Sequence, residues 1–89
     1  MNKEQDVERI IKALANRRRL MILVCLRAKS FSTVGDLAET LRLSLKATSK
    51  HLLILKAAGI VDRGQAGLLA EYALAKPLHA IVRTTLSCL

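Results

Sequence analysis

Between residues 33 and 74 two short helical patterns are followed by an apolar hairpin, and every charge on the second helix is positive. In the first pattern, from Thr33 to Leu41, the residues Val34, Leu37, Ala38 and Leu41 recur at three- and four-residue spacing and form one apolar helix face. Thr33 is placed to cap it, and Asp36 adds a negative charge near its positive end. Arg42-Leu43 leaves room only for a tight turn. Ser44 can cap the second helix, and Gly59, which accepts left-handed backbone angles, stops it after Ala58. Ile60–Arg63 and Leu69–Leu74 read as strands, with residues 64–67 as their turn. From Thr40 to Val61 the chain carries Arg42, Lys46, Lys50 and Lys56 and no acid.

A helix, a turn, a basic helix and a hairpin in this order predict a winged helix-turn-helix, which lays its second helix in a groove of DNA. On helix 44–58 the inner positions are Thr48, Leu52 and Leu55, with His51 at the edge. The outward positions are Leu45, Lys46, Ser49, Lys50 and Leu53. Lys46 and Lys50 stand four apart and share a face. With Ser49 they are the candidate base- and phosphate-contacting residues, because the N-terminal turn of a groove-bound helix faces base edges and phosphates. The competing explanation is an ordinary solvated helix face.

The rest of the chain supplies three more helices and no second domain. Val7, Ile10, Ile11 and Leu14 give a first helix its apolar face. Asn16 is a suitable cap for a second helix, expected to run to about Ala28. Its run from Leu20 to Leu26 is apolar all round, which predicts a helix buried on every side. Ser30-Phe31-Ser32 reads as an extended connector. Pro77 is expected to open a fifth helix, where its missing N–H costs nothing. Leu78, Ile81, Val82, Thr85, Leu86 and Leu89 give that helix an apolar stripe suited to packing on a second subunit. The expected fold is therefore mainly α with a small β-hairpin: one five-helix winged helix-turn-helix over residues 1–89.

Composition narrows the function. The chain has 15 Lys and Arg against 7 Asp and Glu, a net charge of +8, and points to a polyanionic partner. At 52% hydrophobic it is no disordered segment. With Phe31 and Tyr72 its only aromatics, it has an aliphatic core and few platforms on which single-stranded RNA could stack. The surplus of aliphatic residues argues for an oligomer interface. The longest apolar run is far short of a membrane span, and the polar, mixed-charge start is no signal peptide, so a soluble cytoplasmic protein without membrane contact is expected.

Arg17, Arg18 and Arg19 follow the cap Asn16 and oppose the helix dipole. One of them, Arg19 above all, is expected to pair with an acid of the first or third helix. Arg17 and Arg18 are either solvated or in contact with phosphate. His51 and His79 have no acidic or thiol partner at ligand spacing, so neither a metal nor another cofactor is expected. No Ser, Thr or Cys stands beside an oriented base, so no enzyme is expected. Cys25 in the apolar run and Cys88 near the C-terminus read as inert small hydrophobes, with a redox pair between the second and fifth helices as the alternative.

Three stretches resemble the ArsR-type bacterial transcriptional repressors. They are Leu14-Ala15-Asn16-Arg17-Arg18-Arg19-Leu20-Met21-Ile22-Leu23, Val34-Gly35-Asp36-Leu37-Ala38-Glu39, and the segment from Leu43 to Val61 that contains Thr48-Ser49-Lys50-His51-Leu52. Tyr72-Ala73-Leu74 falls where that family's wing ends. The resemblance implies a homodimer joined through the first and fifth helices, with Val7, Ile10, Ile11, Leu78, Ile81, Val82, Thr85 and Leu86 at the interface. It implies an operator as double-stranded DNA partner, met by Ser44, Lys46, Ser49 and Lys50, to which Arg42 and Arg63 add charge. Asn16 and Arg19 would be structural. Metal-sensing members carry thiolates in the third helix, where Thr33 and Gly35 stand here, and His79 is alone on the fifth, so the chain resembles a non-metal member. Redox-sensing members also place cysteines on the second and fifth helices, in a different register from Cys25 and Cys88. No residue pattern identifies an effector. The wing carries one arginine, Arg63, beside Leu68 and Leu69, which leaves a protein-interaction module without strong DNA binding as the competing function.

Overall fold

In the computed structural model, which describes residues 2–89, the elements run α1 (Lys3–Leu14), α2 (Arg17–Lys29), β1 (Ser32–Thr33), α3 (Val34–Leu41), α4 (Leu45–Ala57), β2 (Val61–Ala66), β3 (Leu69–Leu74) and α5 (Ala80–Ser87). The five helices and the hairpin are those expected, arranged as a winged helix-turn-helix. Each early helix starts on the cap its sequence offers. The Asn16 side chain accepts from the Arg19 amide at 3.1 Å and Thr33 Oγ1 from the Asp36 amide at 3.1 Å. Among the described residues no helix is long and apolar enough to cross a membrane.

The core is aliphatic. Ile10 and Leu14 of α1, Ile22, Leu23 and Leu26 of α2, Leu37 of α3, Leu52 and Leu55 of α4, and Val82 and Leu86 of α5 close on Ile60, Val61 and Tyr72. Burial does not follow the expectation for α2. Its Ile22, Leu23 and Leu26 are buried, but Met21 is 41% exposed and Leu20, Val24 and Cys25 are half-buried. The neighbours of α2, chiefly α1, α3, α4 and β3, leave these four positions partly open.

The hairpin is longer than expected. Its register runs from Val61 opposite Leu74 to Ala66 opposite Leu69, so Gly64, Gln65 and Ala66 lie in β2 and only Gly67-Leu68 turns. Gly67 has φ +63°, which a glycine-first two-residue loop requires. The exposed wing makes no packing demand that would exclude Gly64 from a strand. The connector before α3 joins the same sheet: Ser32 pairs with Tyr72 and Thr33 with Glu71, giving the order β1-β3-β2. Pro77 does not open α5. That helix begins at Ala80, capped by His79, whose Nδ1 accepts from the Ile81 amide at 3.1 Å.

Candidate nucleic-acid interface

Two helix ends that finish in the same way set the position of α4. At the end of α3 the Leu43 amide donates to the Ala38 carbonyl at 2.9 Å and the Arg42 amide to the Glu39 carbonyl at 3.3 Å. At the end of α4 the Ile60 amide donates to Leu55 at 3.0 Å and the Gly59 amide to Lys56 at 2.9 Å. These are paired Schellman bonds, which need a left-handed residue between helix and exit. Gly59 fills that place with φ +73° and Arg42 with φ +57°. A side chain in that region costs about 1–2 kcal/mol, so Arg42 occupies a place that glycine would fill more easily.

The start of α4 is fixed by Ser44. Its hydroxyl accepts from the Ala47 amide at 3.0 Å, and its carbonyl accepts from the buried Thr48 hydroxyl at 2.8 Å. Thr48, Leu52 and Leu55 then seat the helix in the core, fully buried. This orientation leaves Leu45, Lys46, Lys50 and Leu53 exposed and Ser49 half-buried, all on the outer side. Arg42, Ser44 and Arg63 are also exposed, in the turn before α4, at its cap and in β2 respectively. The one ion pair among the described residues is Lys12 with Glu8 on α1, at 3.8 Å. Arg42, Lys46, Lys50 and Arg63 therefore form no ion pair with any described acid.

Arg19 does not pair with an acid. Its Nε donates to the Ala13 carbonyl at 2.6 Å and one terminal nitrogen to the Lys12 carbonyl at 3.2 Å, so the guanidinium closes the negative end of α1. The other terminal nitrogen lies 3.4 Å from His51 Nδ1. An arginine has no acceptor, so Nδ1 accepts and the ring proton sits on Nε2. One side chain thus joins α1, α2 and α4. Burial, then Arg19, Arg18 and Lys50, hold the His51 pKa below the ordinary 6.5. As pH falls, the unfolded chain takes this proton before the folded one, so stability declines once pH drops below 6.5. His51→Gln, which keeps an acceptor for Arg19, should flatten the dependence of the melting temperature on pH between about pH 7 and 5.5.

The interface expected on α1 and α5 divides in two. Ile10, Val82 and Leu86 lie in the chain's own core, where they have almost no surface left for a partner. They face inward because α1 and α5 pack on each other and on α2. Val7, Leu78, Ile81 and Thr85 are half-buried, and Ile11 is 52% exposed. Cys25, expected to be buried, is half-buried and lines an apolar groove with Leu20, Met21, Val24, Leu41 and Leu89, edged by Arg17; Cys88 is exposed, and both thiols are free. Among the described residues no three His, Cys, Asp or Glu side chains gather as metal donors, and Thr33 serves as the α3 cap.

A family model described as "Bacterial regulatory protein, arsR family" matches residues 16–63. The transcriptional activator HlyU of Vibrio cholerae is 43% identical over 53 residues, and the HTH-type transcriptional regulator YgaV of Escherichia coli 34% over 53. These matches cover 60% of the chain, 48% of HlyU and 54% of YgaV, so the chain spans about half the length of the curated relatives it matches. A structure of HlyU from Vibrio cholerae superposes with a TM-score of 0.81 at 31% identity, over 99% of this chain and 92% of that one. The homodimeric winged helix-turn-helix DNA-binding domain Mb0332 of Mycobacterium bovis superposes with a TM-score of 0.80 at 32% identity, over 94% and 74%.

Proposed function

The chain belongs to the ArsR family of bacterial regulatory proteins, and from that premise we propose that it is a homodimeric, sequence-specific binder of double-stranded DNA that regulates transcription. In this reading α4 enters the major groove and occupation of the operator represses the neighbouring promoter. The observation that carries it is the first half of α4: Ser44 caps it, Thr48 and Leu52 anchor it, and Lys46, Ser49 and Lys50 face outward with no acid paired to them. Lysines reach guanine acceptors and phosphates, Ser49 can serve any base, and the exposed Leu45 offers an apolar contact to a thymine methyl. Arg42 and Arg63 add charge on either side of the helix in the chain. The family is one of regulators, and nothing in the site requires catalysis.

Titration of a labelled random-sequence duplex at several salt concentrations tests the reading. Affinity is expected to fall linearly as log salt rises, because each neutralised phosphate releases counterions. Absence of binding at low salt would overturn it. That result would favour the second reading, a protein-interaction module, which rests on a wing tip with Leu68 98% exposed and Leu69 62% exposed.

Dimerisation is proposed through the surface that α1 and α5 leave at least partly open, namely the exposed Ile11 with the half-buried Val7, Leu78, Ile81 and Thr85. Mb0332, at 32% identity, is homodimeric, which supports a dimer. Ile11→Glu should convert a dimer into a folded monomer, because position 11 is open in the protomer and a charge there harms only the contact. Sedimentation at micromolar concentration checks it, and a parent protein that sediments as a monomer would refute the dimer.

A further inference from the structure

Of the three arginines that open α2, only the Arg19 side chain bonds within the protein. Arg17 and Arg18 are exposed, and their side chains form no hydrogen bond or ion pair with any described residue. They stand next to each other at the positive end of a helix whose first turn holds no acid, which works against the stability of α2.

Their surroundings give them a use. Arg17 and Arg18 line an open cleft of about 470 Å³ whose other walls are Asn16, Met21 and Leu41. Leu41 ends α3, so that wall continues into Arg42 and the turn that leads to α4. On the other side, a terminal nitrogen of Arg19 lies 3.4 Å from His51 Nδ1, so the first turn of α2 lies beside α4. Arg17 and Arg18 are thus exposed basic side chains on a turn that meets both the end of α3, next to Arg42, and α4, which carries Lys50. Asp36 and Glu39, the acids on α3, form no ion pair with these basic groups.

We propose that Arg17 and Arg18 make the first turn of α2 a second anchor on the duplex, binding backbone phosphates beside the groove that α4 enters. The proposal rests on the DNA-binding reading above. Guanidinium groups suit the role, since their forked N–H donors match phosphate oxygens. Such contacts add affinity and fix register without reading sequence. They also make up for a wing with one basic residue, Arg63, between Val61 and Leu74.

The test measures duplex affinity between about 50 and 200 mM salt for the parent, R17Q/R18Q, R17K/R18K and Lys50→Ala. R17Q/R18Q should flatten the slope of log affinity against log salt by about 0.9 for each phosphate that is no longer neutralised. It should keep the parent's ranking of duplex sequences and melt no lower than the parent, since it relieves the helix dipole. R17K/R18K should retain the parent slope. If the double variant melts early, Arg18→Gln alone carries the comparison. An R17Q/R18Q slope and affinity equal to the parent's, with binding still weakened by Lys50→Ala, would overturn the second anchor and leave the DNA-binding reading standing. A parent that binds no duplex would overturn both.

Discussion

Replacing both Lys46 and Lys50 with alanine is expected to cut operator affinity by two orders of magnitude or more while leaving the fold intact. Removing a base contact costs about 1–3 kcal/mol, and removing a phosphate contact flattens the salt slope by about one unit. The two side chains share the outer face of α4, are exposed, and bond to nothing in the protein, so their removal disturbs no packing. Alanine is also the best helix former, so α4 should be no less helical. Titration of the selected operator with the single and double variants gives the size of each effect, and circular dichroism checks the fold. Undiminished affinity in the double variant would remove α4 from the interface.

Leu52→Ala should destabilise the domain by about 2–5 kcal/mol, in the range found for buried leucines whose truncation leaves a cavity. Leu52 is fully buried, in one cluster with Ile22, Leu23, Leu37 and Val82. Since small domains are stable by about 5–15 kcal/mol, this is a large share, and it should lower the melting temperature by about 10 °C or more. The neighbouring Leu53→Ala is the control. Leu53 is 61% exposed, and surface changes of that kind stay within about 0.5 kcal/mol. Urea unfolding of both variants distinguishes them. Equal midpoints would mean that α4 is not seated as described. The comparison links core to function, since the helix that carries Lys46 and Lys50 on one side is held by Leu52 on the other.

Most of the architecture is written locally. Asn16, Thr33 and Ser44 are short polar side chains directly before apolar periodicity, and each caps a helix by accepting from the amide three residues on. Gly59 ends α4 in the left-handed conformation that its lack of a Cβ allows. What the sequence hides depends on distant partners. The exposed seam of α2 follows from where its neighbours α1, α3, α4 and β3 pack, which no periodicity reports. Arg19 meets carbonyls of α1 rather than an acid, and backbone acceptors leave no mark in a side-chain pattern. The strand character of Gly64–Ala66 comes from cross-strand pairing with Leu69–Glu71, and that of Ser32 from pairing with Tyr72. Pro77, a common first helical residue, obscures the start of α5, whereas His79 supplies the cap. On the outer face of α4, Lys46 and Lys50 are legible from their spacing alone. On α1 and α5 the direction of each side chain is not legible, because an apolar stripe does not distinguish Val82, turned into the core, from Ile11, turned out of it.

Selection of bound sequences from a random duplex pool, with the parent and with the Lys46→Ala/Lys50→Ala variant in parallel, tests the central claim most directly. A dimer that presents α4 twice should enrich an inverted repeat whose half-sites lie one helical turn apart, about 34–36 Å, or a multiple of that. The variant should enrich nothing. A parent that returns no common sequence, or a variant that returns the parent's sequence undiminished, would contradict the account.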